Sequence, residues 1–468
     1  MKINFIKLTL FFATVMLVFT GCEKVDFGGI NDNPNEPTQP SAGSLLASAE
    51  GAVHNYVGAT TPNLYVQYLS NGQYDEESRY QTLNWDTSYW YGVLTDLDRM
   101  IEVSENPNQI AAGTILRVYL FEGMTTRWGQ LPYTEALKGL DNQFPAFDAQ
   151  EDIYNGLFAE LDAALGMIDA GGNAVAGDYI FGGDITKWES FGQTLKLIMG
   201  LRLSNANPTL GQQKFNEALG NEIMSNSENF FYPYLADENN DNPWEDRFLA
   251  PSFRRDYLVS DVFVDALIGS GSADAPEDTR LYGMAQPATT SGTFVGAPYG
   301  QVNSATDDYS FITGDIIFNQ EAPLYMFTYA EVLFARAEAA ELGWTSENAE
   351  DLYKQAIMAS FDQWGQSSEA ATSYISKNAY NGTDSIGYEK WVALYFQGYE
   401  AWAEWRRLEA MGYEKALVAP EDLLSNATDV PDRQAYAATA SSLNEASYNA
   451  AISAQGPDEL NTKIWLFE

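Results

Sequence analysis

The chain has 468 residues, 45% of them hydrophobic, ample for a large core and enough for roughly two to four domains of ordinary size. Its 25 Lys and Arg stand against 65 Asp and Glu, a formal charge of −40 that repels phosphate backbones and excludes nucleic acid as a partner. The acids are spread along the chain rather than gathered in a tail, which reads as solubility. A single cysteine, Cys22, and a single histidine, His54, rule out an internal disulfide and leave a Cys/His zinc site without ligands. A Ser-His-Asp triad would have to rest on His54 alone, and no GxSxG elbow accompanies it.

The N-terminus reads as an address. Lys2 and Lys7 precede an apolar run from Leu8 to Thr20, 13 residues long and too short to span about 30 Å of hydrocarbon as a helix. Phe19-Thr20-Gly21-Cys22 follows and resembles a bacterial lipobox, with Phe19 where Leu is usual. This reading makes residues 1–21 a signal peptide and Cys22 the acylated residue, held stably by several acyl chains. Residues 22–40, rich in Gly, Asn and Pro, read as a flexible tether.

From Ser41 on the pattern is mostly helical. Ile153, Leu157, Leu161, Leu165 and Ile168 recur at spacings of four and three, one stripe of an amphipathic helix. Leu195 to Leu203 predicts another. PLYMFTYAEVLFARAEAAELGW, ending at Gly343, and ENAEDLYKQAIMASFDQWG, with Thr345-Ser346 as its cap region, predict two helices joined by a short turn, a tetratricopeptide-like pair. EKWVALYFQGYEAWAEWRRLEAMG predicts a helix whose face of Trp391, Leu394, Tyr395, Gly398, Trp402 and Trp405 is core. Arg406 and Arg407 fall toward its C-terminus, where positive charge is favourable. Two long Gly- and Pro-rich stretches, 230–253 and 291–314, predict ordered loops with short strands, where binding residues tend to sit.

No catalytic motif emerges among the carboxylates. Asp237-Glu238-Asn239-Asn240-Asp241 has the oxygen ligands of a calcium loop, but Asn242 at the sixth position and Phe248 at the twelfth exclude an EF-hand. A looser structural calcium ion remains open; no other cofactor is expected. There is no Walker or Rossmann glycine fingerprint.

Several segments in order carry a resemblance: the lipobox, NDNPNEPT at Asn31, RWGQLPYTEAL at Arg127, SFRRDYLVSD at Ser252, GTFVGAPYG at Gly292, TYAEVLFARAEAAELGW at Thr328, EKWVALYFQGYEAWAEWRR at Glu389 and the terminal GPDELNTKIWLFE. The chain resembles the SusD/RagB-like lipoproteins. The resemblance implies one mostly α domain over residues 41–468, with four tetratricopeptide-like helical pairs as a scaffold and irregular loops and short strands packed on one side. It implies no catalysis, capture of a poly- or oligosaccharide at the outer membrane facing outward, and delivery to a SusC-like TonB-dependent transporter. A secreted helical glycoside hydrolase and a helical-repeat protein-binding scaffold are the alternatives.

The ring-rich stretch RYQTLNWDTSYWYG at residues 79–92 supplies the candidate glycan site. Trp90, Leu94, Leu97 and Ile101 form a buried stripe, with Asp86 expected as N-cap. Trp85 then either folds onto Trp90 as a hydrophobic staple or presents an open face to a sugar ring. Asn84 and Asp86 flank it to bond hydroxyls, Arg79 and Tyr80 come from the same loop, and Tyr309 in the second long loop is added as a further ring.

Overall fold

The computed structural model describes residues 40–81, 87–249, 252–413, 417–424 and 427–468, and residues 42–468 form one compact unit. The signal peptide, Cys22 and the tether, expected at 1–40, lie outside the described residues but for Pro40. No helix among the described residues is long and apolar enough to cross a membrane.

The longer helices are α1 (Ala42–Ala52), α2 (Ser88–Val103), α3 (Pro107–Trp128), α4 (Gln150–Met167), α5 (Ile185–Arg202) and α6 (Pro208–Ala218). They continue with α7 (Tyr329–Glu341), α8 (Ala349–Gln363), α9 (Ser368–Lys377), α10 (Thr383–Ala393), α11 (Gly398–Ala410) and α12 (Glu445–Gln455). Neighbours in sequence pack as neighbours in space: α3 on α4, α5 on α6, α7 on α8, and α10 on α11. This is the expected scaffold of helical pairs. Burial of apolar surface drives it: α4 buries one stripe, Ile153, Leu157 and Leu161, while α5 is buried on every side from Thr194 to Arg202, Leu195, Ile198 and Met199 among them. Between α5 and α6 the backbones approach so closely that a Cβ on Gly200 would stand 2.8 Å from the Phe215 nitrogen. Only glycine permits that crossing.

Three expectations shift. Leu324–Phe327 is not the start of a helix but strand β4, and Thr328 caps α7 by accepting from the Glu331 N–H. The cap of α8 is Asn348, not Thr345 or Ser346. The tryptophan-rich run forms two helices rather than one. It breaks between Ala393 and Gly398, where Phe396 takes φ 72°. The core reading of its side chains holds: Trp391 donates to the Val66 carbonyl at 3.0 Å and Trp402 to that of Pro431 at 2.7 Å. The break lets both helices turn the same apolar set inward.

Arg406 and Arg407 do more than offset a helix dipole, for both are fully buried. The Arg406 guanidinium lies 3.7 Å over the Trp402 ring and donates to the Thr126 carbonyl at 2.7 Å. Arg407 pairs with Glu338 at 2.6 Å and Glu404 at 2.8 Å. Lys390 also meets Glu404, and Arg202 bridges Glu122 and Glu400. These ions stitch α3, α5, α7, α10 and α11 together through the middle of the core.

Candidate functional site

Strands β1 (Leu69–Asn71), β2 (Phe230–Tyr232), β3 (Tyr257–Val259) and β4 form two short antiparallel ladders, β1 with β3 and β2 with β4. Each supports a loop surface.

The β1–β3 ladder pairs Asn71 with Tyr257. Past its end, the Gly72 N–H donates to the Asp256 carbonyl at 2.7 Å and the Asn303 N–H to that of Gly72 at 2.8 Å. The Leu424 N–H donates to the Arg79 carbonyl at 2.9 Å. Backbone bonds thus lock four loops from distant parts of the chain into one face. Gly300, at φ 70°, sits where a Cβ would come within 2.8 Å of Pro420, so that junction also requires glycine.

The expected site residues divide on this face. Asn84, Trp85 and Asp86 lie outside the described residues. α2 opens one residue later than expected, at Ser88 with Thr87 before it, and Trp90 is its third residue. Trp90, Leu94 and Leu97 are buried as expected, while Ile101 is half-buried against the core. Arg79 stays at the loop, its Nε 2.8 Å from Asp75. Tyr309 is half-buried, with its ring against the core.

Tyr80 is a correction. It has no exposed surface, and its ring packs edge-on to Tyr65 at 5.8 Å. Its hydroxyl accepts from Gln67 Nε2 at 3.0 Å, and burial pushes its pKa up to about 12. A backbone turn at φ 59° rotates the side chain inward, which no spacing argument reveals. In this structure it cannot offer a face to a sugar.

Phe253 was missed. It is 71% exposed and holds φ 50°, a conformation that costs a non-glycine residue about 1 kcal/mol or more. Exposure means burial does not offset that cost. Beside it, the Arg254 guanidinium lies 5.1 Å over the Tyr74 ring and pairs with Asp256 at 2.6 Å. Arg255 stands 3.9 Å from Asp307. An open phenyl ring followed in sequence by two arginines, each near a carboxylate, can cover the C–H face of a pyranose and bond its hydroxyls. The sequence signal was only one apolar residue in the polar run SFRRD.

Next to the β2–β4 ladder is a concavity of about 460 Å³, lined among others by His54, Tyr179, Tyr232 and Tyr234. The hydroxyls of Tyr179 and Tyr232 are 2.8 Å apart. Burial lowers the pKa of His54. Behind this wall the Glu50 carboxylate accepts from the Tyr179 N–H at 2.9 Å. Burial, then the charge of Asp178, pushes Glu50 up to about 9. The same cavity carries Glu238, Asp241 and Asp246, whose carboxylate oxygens lie within 4.8 Å of one another. Two of these come from the segment read as a loose calcium loop; Asp246 comes from the short helix Pro243–Phe248. Asp237 instead accepts from the Asn239 N–H in its own turn.

A family model described as SusD-like, starch-binding associating with outer membrane, matches residues 34–437. The chain belongs to the SusD-like family. No curated protein matches it. Solved structures share the fold: a chitin-binding protein at 24% identity and TM-score 0.80, covering 92% of this chain and 100% of its own. A SusD homologue from Bacteroides fragilis matches at 20% identity and TM-score 0.78 with the same coverage. A chitin-binding SusD homologue from Flavobacterium johnsoniae matches at 21% and 0.77, covering 91% and 98%. SusD-like proteins bind carbohydrate without catalysis and associate with the outer membrane, so this chain is a glycan-binding protein of that membrane and not an enzyme.

Proposed function

We propose that this SusD-like protein captures a polysaccharide or oligosaccharide on the cell exterior and passes it to a SusC-like TonB-dependent transporter. A lipid on Cys22 would hold it to the outer membrane. The glycan would lie across the loop face above the β1–β3 ladder, with Trp85 and Phe253 as platforms. Asn84, Asp86 and Arg79 would bond hydroxyls, and Tyr309 would flank them. Tyr80 supports the face from below. Phe253 is the observation that carries the site: a left-handed turn, closed by the Phe253 N–H on the Leu249 carbonyl, holds an apolar ring in water, where the face of a sugar would cover it.

Binding is tested by retardation in native gels containing glycans. Chitin oligosaccharides and soluble chitin derivatives lead the panel, because two relatives are described as chitin-binding. Phe253→Ala and Trp85→Ala should each weaken binding by about 1–3 kcal/mol, as stacked rings do elsewhere, with little change in melting temperature. Unaltered retardation of both folded variants would remove this face as the site. Transport is tested separately: the tagged protein should bring down a large β-barrel from mildly solubilised membranes. Recovery of the protein alone across several growth glycans would refute that step.

A further inference from the structure

The second concavity brings together groups that the glycan reading does not use. Glu238, Asp241 and Asp246 converge there, and Asp241 is more than nine-tenths buried. Gln320 donates its amide to Glu238 at 3.1 Å and to Asp241 at 3.2 Å, so a neutral group bridges two of the three. The nearby Arg247 guanidinium is turned over the rings of Trp244 and Tyr257 at 5.5 and 5.7 Å. One oxygen of Asp246 is sealed from water with no hydrogen-bond partner. Independently, Tyr234 lines the same cavity at 5% exposure, and its hydroxyl also has no partner. An unpaired buried hydroxyl on one wall of a cavity and crowded carboxylates on another are both costly unless something occupies that cavity.

We propose that Glu238, Asp241 and Asp246 bind one calcium ion. Oxygens that share an ion at about 2.4 Å cannot be more than about 4.8 Å apart, and these carboxylates meet that limit. The donors are all hard oxygens, which favours calcium over zinc. They sit on an irregular loop and a six-residue helix, a flexible frame that suits calcium better than the strict octahedron of magnesium. The ion ties the 235–242 loop to the helix that follows it and so fixes one wall of the tyrosine cavity.

The test is calorimetric titration of the purified protein, stripped with EGTA, against calcium, magnesium and zinc chlorides in turn. One calcium per chain should bind at least about tenfold more tightly than magnesium or zinc, and saturating calcium should raise the melting temperature by a few degrees. Glu238→Gln lies at an exposed position, so it should fold as wild type in EGTA and lose about tenfold or more in calcium affinity. Asp246→Asn should do the same. Absence of heat and of any melting shift in about 10 mM calcium overturns the proposal. So does calcium uptake that Glu238→Gln leaves unchanged, which would mark diffuse binding to an acidic surface. Stronger binding of magnesium or zinc would overturn the assignment to calcium.

Discussion

Glu50 makes the stability of this protein depend on pH, and its substitution by glutamine isolates the effect. The side chain is buried on α1. Desolvation, then the Asp178 charge, raises its pKa from 4.5 to about 9. The folded state therefore holds a proton that the unfolded chain releases above pH 4.5. A group raised on folding contributes its full stability below the unfolded pKa and loses it as pH climbs toward the folded one. At pH 7 the loss is about 3.4 kcal/mol, taking about 1.36 kcal/mol for each of two and a half units. Between pH 5 and 8 the drift is about 4 kcal/mol. Glu50→Gln is neutral throughout, can still accept from the Tyr179 N–H, and can donate to Asp178. Urea unfolding at half-unit steps from about pH 5 to 9.5 should show the variant gaining on wild type by about 1.4 kcal/mol per unit up to about pH 8, with the gain flattening near pH 9. Parallel profiles for the two proteins would refute a proton held on Glu50.

Trp90→Ala removes a ring that meets Tyr56 edge-on at 6.2 Å and should cost about 3–5 kcal/mol in urea unfolding; a loss below about 1 kcal/mol would contradict its core role. Arg407→Leu strands Glu338 in the core and leaves Glu404 with Lys390 alone, and should cost about 3–5 kcal/mol, partly restored by adding Glu338→Leu. If the single variant melts with wild type, the buried pair is not holding α7 to α11. Cys22→Ala should move the protein from the membrane fraction to the soluble one, and firm retention in membranes would exclude acylation there.

What the sequence determined is whatever repeats locally. A stripe at three- and four-residue spacing placed α4, because one-sided burial leaves a periodic record in the chain, while runs of helix formers and a glycine stop placed α5 and the pairing of α7 with α8. The segments from RWGQLPYTEAL to the terminal GPDELNTKIWLFE pointed to the SusD-like family before any coordinates. The oxygen-rich stretch at 237–241 was legible as a candidate cation loop, although Asp246 was not part of that reading. Tertiary structure decided the remainder. One helix became α10 and α11 because Phe396 reverses the backbone at positive φ, a choice set by packing against residues far away in sequence. Arg406 and Arg407 looked like helix-end charges because their partners, Glu338 and the Thr126 carbonyl, come from α7 and α3. Tyr80 and Phe253 both occupy left-handed turns, yet one ring is buried and the other stands in water. Composition treats two aromatic residues in polar loops alike. Which of them meets solvent depends on where four separate loops are tied together, and that is fixed by backbone hydrogen bonds between segments hundreds of residues apart.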